Sequence, residues 1–230
     1  MKTIGLIGGM SWESSTLYYQ LINRKVKAVK GEMNSCKSIL YTVDFAQIHR
    51  LQKEGDWKQL DQLMADAAQK LEKAGADIII LCANTMHLCS AAIQESVAIP
   101  FLHIAEVTGA AIASQGLQKI ALLGTKYTME KDFYKKLLTE QFGLEVLIPN
   151  AEERADIHRI IYDELVQGKL TTESRQRYQA IIKNLENQGA EGVILGCTEI
   201  PLLIKADDVD IPIFDTTTLH AEKAVEWALG

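Results

Sequence analysis

The sequence predicts an α/β protein of two similar halves, each a mainly parallel sheet with helices on both faces. Three observations carry that expectation. Strand-like and helix-like segments alternate along all 230 residues. The run 77–82 is continuously apolar, as expected of a parallel strand covered on both sides. A stretch of the first half recurs in the second. Alternation of this kind links parallel strands through helical crossovers.

The elements follow in order. The apolar run 3–8 ends in Gly8-Gly9 and reads as a strand. Over 16–29, Leu17, Tyr18, Leu21, Ile22, Val26 and Val29 recur at helical spacing. Residues 38–43 are β-branched and aromatic, which predicts a strand. Over 56–74, Leu60, Leu63, Met64, Ala67, Ala68 and Leu71 mark one helical face, and Gly75 suits a C-cap. After strand 77–82 the pattern gives helix 86–97, strand 100–103, helix 106–115 and strand 119–124. Helix 128–141 then leads to strand 144–148, and helices 152–167 and 172–188 precede strand 192–195. Strand 212–214 and helix 217–229 complete the reading.

The self-match is the most informative feature. Gly75-Ala76-Asp77-Ile78-Ile79-Ile80-Leu81-Cys82-Ala83-Asn84-Thr85 aligns without gaps on Gly189-Ala190-Glu191-Gly192-Val193-Ile194-Leu195-Gly196-Cys197-Thr198-Glu199. A weaker echo pairs Ile4-Gly5-Leu6-Ile7-Gly8 with Ile120-Ala121-Leu122-Leu123-Gly124. Convergence would also give an apolar strand followed by a polar turn. Two echoes in the same order favour duplicated halves. Ligands of open α/β sheets bind at the carboxyl ends of the strands. Asn84-Thr85 and Cys197-Thr198-Glu199 are therefore expected on opposite walls of one cleft.

Composition narrows the function classes. Hydrophobic residues make up 47% and charged residues 23%, ordinary values for a globular chain. A net charge of -6 argues against a nucleic-acid partner, which would want a basic stripe. No apolar run approaches the roughly 20 residues that span a bilayer. MKTIGLIGG lacks the features of a signal peptide, so a cytoplasmic location is expected. The four cysteines are scattered, as free thiols are, and Cys82 and Cys89 match no zinc spacing. No metal site is expected.

Cys197 follows a buried strand at an expected helix start, where unpaired N–H groups and the helix dipole would favour a thiolate. A packed cysteine is the competing reading. Strand alternation turns Cys82 into a helix–sheet interface and Ala83 toward the cleft. Cys36 and Cys89 read as structural. Gly5-Leu6-Ile7-Gly8-Gly9-Met10-Ser11 is neither a dinucleotide fingerprint nor a P-loop. It would still let backbone approach a small ligand, with Met10, Ser11 and the following N–H groups holding a carboxylate. His87 could orient a neighbour or cap a helix, as could His220 beside Asp215 and Thr216; a purely structural role competes for each.

Taken together, Gly8-Gly9-Met10-Ser11, Asn84-Thr85, Gly196-Cys197-Thr198-Glu199 and the Asp215-Thr216 turn resemble the aspartate/glutamate racemase family. The likeness runs along the whole chain, and G-C-T-E and x-N-T are fairly specific motifs. It is similar in particular to the bacterial L-aspartate/glutamate-specific racemases. The resemblance implies two Rossmann-like domains related by a pseudo-two-fold, with the active site in the cleft between them and the last helix crossing back. The first domain would then take 1–98 and 210–230, and the second 99–209. It also implies a homodimer, no pyridoxal phosphate or other cofactor, and a small acidic amino acid as substrate. The family's reaction removes the α-proton from one face and returns a proton to the other. Cys197 would be one acid/base, since an ordinary thiol titrates near ~8.5. Asn84, Thr85 and Thr198 would supply donors to the carbanion, and Glu199 completes the motif. Carrying family contacts over adds Gln52, for the substrate's side-chain carboxylate, and Thr125.

One position departs from the pattern. Two-thiol members carry cysteine immediately before Asn-Thr and the L-specific members threonine, whereas this chain has Ala83. Alanine cannot carry a proton. The chain could be an engineered variant lacking its first acid/base. It could instead be a one-thiol racemase in which Thr85, water or a shifted Cys82 serves the second face. A one-thiol decarboxylase of the same superfamily, or a non-catalytic protein that binds acidic amino acids, completes the alternatives.

Overall fold

The computed structural model describes residues 1–230. The chain forms two compact units, Met1–Ile104 with His220–Gly230, and Ala105–Leu219.

The first unit holds β1 (Ile4–Gly8), α1 (Trp12–Lys30), β2 (Ser38–Thr42), α2 (Phe45–Glu54), α3 (Trp57–Lys73), β3 (Ile78–Leu81) and α4 (Ser90–Ser96). Helix α5 (Ile104–Ser114) begins at its boundary. The second unit continues through β4 (Lys119–Gly124), α6 (Lys126–Glu130), α7 (Asp132–Phe142), β5 (Glu145–Leu147), α8 (Ala151–Asp163) and α9 (Thr172–Asn187). It ends with β6 (Gly192–Gly196), α10 (Ile200–Leu203) and β7 (Ile213–Asp215), and α11 (Thr216–Leu229) returns the chain to the first unit. The boundaries thus fall at 104/105 and 219/220 rather than at 98/99 and 209/210. The later one moves because β7 pairs with β6 and so belongs to the second sheet.

All strand pairs are parallel, in the orders β2-β1-β3 and β5-β4-β6-β7. The segment expected as strand 100–103 makes a single parallel bridge from Phe101 to Ile79. It occupies the place in the first sheet that β7 holds in the second. The N–H of Ile79 donates to Pro100 O at 2.9 Å and that of Val193 to Pro212 O at 2.8 Å.

Register supports the internal repeat directly. Gly5 pairs with Ile79 as Ala121 pairs with Val193, the same correspondence the two sequence echoes give. The Gly-Ala-acid entry is built alike in both halves. Gly75 and Gly189 take φ of +94° and +98°, the left-handed region that glycine enters at no steric cost. The Ala76 and Ala190 N–H groups then bond back to Leu71 O and Leu185 O. Asp77 accepts from the Thr3 N–H at 2.6 Å; Glu191 accepts from Gln118 and Lys119 at 2.6 and 2.9 Å. Each acid therefore clamps the start of its neighbouring strand.

Strand alternation sorts the cores. Ile79, Leu81 and Ala83 pack with Met10, Met86 and residues of α2 and α3. Ile78, Ile80 and Cys82 pack against Tyr18, Ile22 and Val26 of α1 and Ala221, Ala224 and Val225 of α11. In the second unit Val193 and Leu195 join Ile157, Tyr178, Ile181 and Ile200, with Cys197 against the same cluster. Cys197 thus has the strand parity of Ala83.

Several boundaries differ from the sequence expectations. Helix α1 starts four residues early because the Ser11 hydroxyl caps it, accepting from the Ser14 N–H at 3.3 Å. The segment expected as helix 128–141 is two helices, capped by Thr125 and broken at Lys131, whose ψ of 149° is extended. Helix α2 was not foreseen, and the helix expected after Cys197 is the short α10.

Candidate active site

In the second unit Gly124 pairs with Gly196, so Thr125 and Cys197 leave adjacent strand ends. Thr125 is buried and caps α6 by accepting from the Thr128 N–H. Cys197 as a residue is half-buried, with its sulfur turned into the protein. Its Sγ–H donates to Glu199 Oε2 at 3.0 Å, and the Thr198 hydroxyl donates to the same oxygen at 2.7 Å. Both Thr198 and Glu199 are buried.

This arrangement overturns the expectation of a favoured thiolate. Burial, then the negative charge and hydrogen bond of Glu199, push the Cys197 thiol well above its ordinary value; the Thr198 and Glu199 N–H groups pull the other way and are outweighed. The expected helix start is only the four-residue α10, whose dipole is correspondingly small. Burial also raises Tyr162 and Tyr178, with Cys197 and Glu199 adding to it, so the thiol faces two neutral phenols.

In the first unit, Met10, Ser11, Gln52, Ala83, Asn84 and Thr85 are all buried near the carboxyl ends of β1 and β3. Met10, Ala83 and Met86 share one cluster, and the Gln52 amide lies 3.1 Å from Met86 Sδ. Asn84 and Thr85 open a 3₁₀ turn, Thr85–Cys89, where an α-helix from residue 86 was expected. Gly8 and Gly9 let the segment between β1 and α1 pass close to Ser15 and Val43. A Cβ on Gly8 would lie 2.5 Å from Ser15 Oγ; one on Gly9, at φ +94°, would lie 2.2 Å from Val43 O. Gly9→Ala should therefore cost on the order of 3 kcal/mol in chemical denaturation, since backbone rather than a flexible tip stands in the way. An unchanged midpoint would show that the loop has room.

Cys82 is fully buried on the opposite face from Ala83, and burial drives its thiol far above the ordinary range. Its place among the α1 and α11 side chains argues against a shifted Cys82 as a second acid/base. Cys36 and Cys89 are buried too, with Cys36 raised to about 11.

His87 and His220 both lie in the first unit. His87 Nδ1 is 2.8 Å from Ala83 O, and the Ile104 N–H donates to its Nε2 at 3.2 Å. His220 lies between the Tyr18 hydroxyl and Leu102 O, each at 2.9 Å. His103, which sequence reasoning passed over, completes a cluster: its ring is 4.7 Å from that of His87, and His220 is 5.8 Å from His87. No group of three His, Cys, Asp or Glu side chains is placed to hold a metal ion, and no helix is long and apolar enough to cross a membrane.

Residues 7–224 match the family model described as Asp/Glu/Hydantoin racemase. The chain belongs to that family. Membership carries the enzyme class with it, an amino-acid racemase that works without pyridoxal phosphate. Among curated relatives, this racemase is 26% identical to the broad specificity amino-acid racemase RacX of Bacillus subtilis, over 99% of this chain and 98% of that one. Among solved structures it is similar to a candidate Asp/Glu racemase from Yersinia pestis, with 50% identity, complete coverage of both chains and a TM-score of 0.95. An aspartate racemase homologue from Pyrococcus horikoshii shares 40% identity over both full chains, with a TM-score of 0.86. The fold recurs in Picrophilus torridus aspartate racemase, at 20% identity, 99% and 94% coverage and a TM-score of 0.79.

Proposed function

We propose that this racemase moves the α-proton of a small acidic amino acid, aspartate or glutamate, with Cys197 as the acid/base on one face. The observation that carries the proposal is the hydrogen bond from Cys197 Sγ–H to Glu199 Oε2 at the end of β6. A thiol that donates to a carboxylate can pass its proton there, leaving a thiolate stabilised by the Thr198 and Glu199 N–H groups. The thiolate takes the α-proton, and the electron pair stays on the substrate as a carbanion delocalised into its carboxylate. The cycle ends when the Cys197 thiol returns a proton to the same face or water or Thr85 delivers one to the other. Asn84, Thr85 and Thr198 would donate to that carboxylate, together with the N–H groups beyond Met10 and Ser11. Gln52 and Thr125 would meet the substrate's other end. Family resemblance further supports a cytoplasmic homodimer and a reaction without cofactor or metal.

The counterpart of Cys197 is Ala83, with the same strand parity and no ionisable group. Exchange of a single enantiomer should therefore outrun racemisation. Incubating L- and D-aspartate and L- and D-glutamate in deuterated water, with the α-proton followed by NMR, measures both rates. Ala83→Thr or Ala83→Cys should raise racemisation by roughly tenfold or more, a modest part of the 10²–10⁴ that a positioned acid/base contributes. No exchange of any of the four would refute the proposal. Ala83 also favours a second reading, a one-thiol decarboxylase; carbon dioxide release from a substituted malonate without amino-acid exchange would establish it. Tight aspartate binding with neither reaction would mark a non-catalytic binder.

A further inference from the structure

We infer that His87 is a positioning residue for the side chain at position 83, acting as a fixed neutral Nδ1–H imidazole; this rests on the racemase reading above. The tautomer follows from the partners. A backbone N–H can only donate, so the Ile104 N–H at 3.2 Å makes Nε2 the acceptor. The proton then sits on Nδ1 and is donated to Ala83 O at 2.8 Å. One ring thereby ties the residue just past β3 to the first residue of α5. The His87 N–H also donates to Asn84 O at 3.1 Å, tightening the same turn.

Both ring nitrogens are engaged, and the ring is completely buried. The titratable groups around it are His103 and His220, with the Tyr18 hydroxyl beyond His220. A second proton on His87 would point at the Ile104 N–H and add charge beside two imidazoles. The ring stays neutral and the loop stays anchored.

Comparison of the halves shows why a histidine is needed. Extended by two residues, the gapless repeat aligns His87 with Pro201. After Cys197 the backbone is held by the Ile200 N–H to Cys197 O bond at 3.3 Å and by a proline in the first turn of α10. After Ala83 that proline is absent and the imidazole supplies the restraint on the carbonyl. The direction in which a side chain leaves position 83 is thereby set by His87.

The test places His87→Leu and His87→Gln in the Ala83→Thr background and in the parent chain. Leucine fills the space without hydrogen bonds; a glutamine amide can donate to Ala83 O and accept from Ile104. Side-chain ¹⁵N NMR of the parent should show Nδ1 protonated and Nε2 bare from pH 5 to 9. In the Ala83→Thr background, H87L should lower racemisation at least tenfold while single-enantiomer exchange through Cys197 changes less than twofold, and H87Q should recover racemisation to within threefold. Equal loss of both rates, no loss, H87Q no better than H87L, or an imidazole that titrates near neutrality would overturn the inference. If the parent exchanges no amino acid, the racemase reading falls. The inference then fails as well unless H87L, but not H87Q, shifts the Asn84 and Thr85 amide resonances.

Discussion

Replacing Cys197 by serine should lower α-proton exchange by roughly 10²–10⁴-fold, because a hydroxyl in the same place cannot reach the ionised form near neutrality. Cys82→Ala should leave exchange within about twofold, since that thiol is buried on the α1/α11 face of its sheet. The contrast matters because the two cysteines occupy adjacent register positions in the repeat. The pH profile sharpens it. The Cys197 thiol is held above its ordinary value by burial and by Glu199. The active base form is then a minority at pH 7, and kcat/KM should still be climbing at pH 9. Glu199→Gln removes the charge that raises the thiol, so the climb should move to lower pH. It also removes the proton acceptor, so the plateau should fall. A profile flat above pH 7, or a Cys197→Ser enzyme with parental exchange, would exclude this thiol as the base.

The second large effect concerns acid. Burial holds His103 and His220 down to about 4, and His87 well below the ordinary value. In the unfolded chain these imidazoles titrate near 6.5. A folded value below the unfolded one means that the unfolded state binds protons first as pH falls. The neutral rings therefore contribute stability fully above about pH 6.5, and that contribution is lost as pH falls toward 4. By pH 5 the loss is about 2 kcal/mol for each of the two, at roughly 1.4 kcal/mol per pH unit. Denaturant unfolding at pH 7.5 and pH 5 measures it, and His220→Gln should flatten the dependence because glutamine does not ionise. Equal stability at the two pH values would mean that the cluster opens to water.

Much of the fold was legible because the apolar patterns were long. Leu60, Met64, Ala67, Ala68 and Leu71 define α3 whatever surrounds them, and all are buried. Helix α2 was missed although Asp44 caps it and Gly55 ends it in the left-handed region; Phe45, Ile48 and Leu51 alone make too short a stripe beside a preceding strand. The break at Lys131 has no glycine or proline to announce it. Within the site, the pairing of Ala83 with Cys197 was readable from the gapless repeat. The protonation state of Cys197 was not. It depends on a carboxylate two residues away turning back onto the sulfur, and on Tyr162 and Tyr178 arriving from α8 and α9. His103 escaped notice because only the fold places it against His87.

The return of α11 to the first unit has a consequence for the order in which the protein is made. Residues 105–219 are contiguous, so the second unit can close as soon as they are synthesised. The first unit cannot. The face of β1 and β3 that packs on α1 stays only part-covered until Ala221, Ala224, Val225 and Ala228 arrive, and Val225 alone contributes about 1.5–3 kcal/mol by its burial. The Lys2 N–H waits for Ala228 O, and Tyr18 waits for His220. On the ribosome the usual sequence of events is inverted: the half that emerges first is the half completed last.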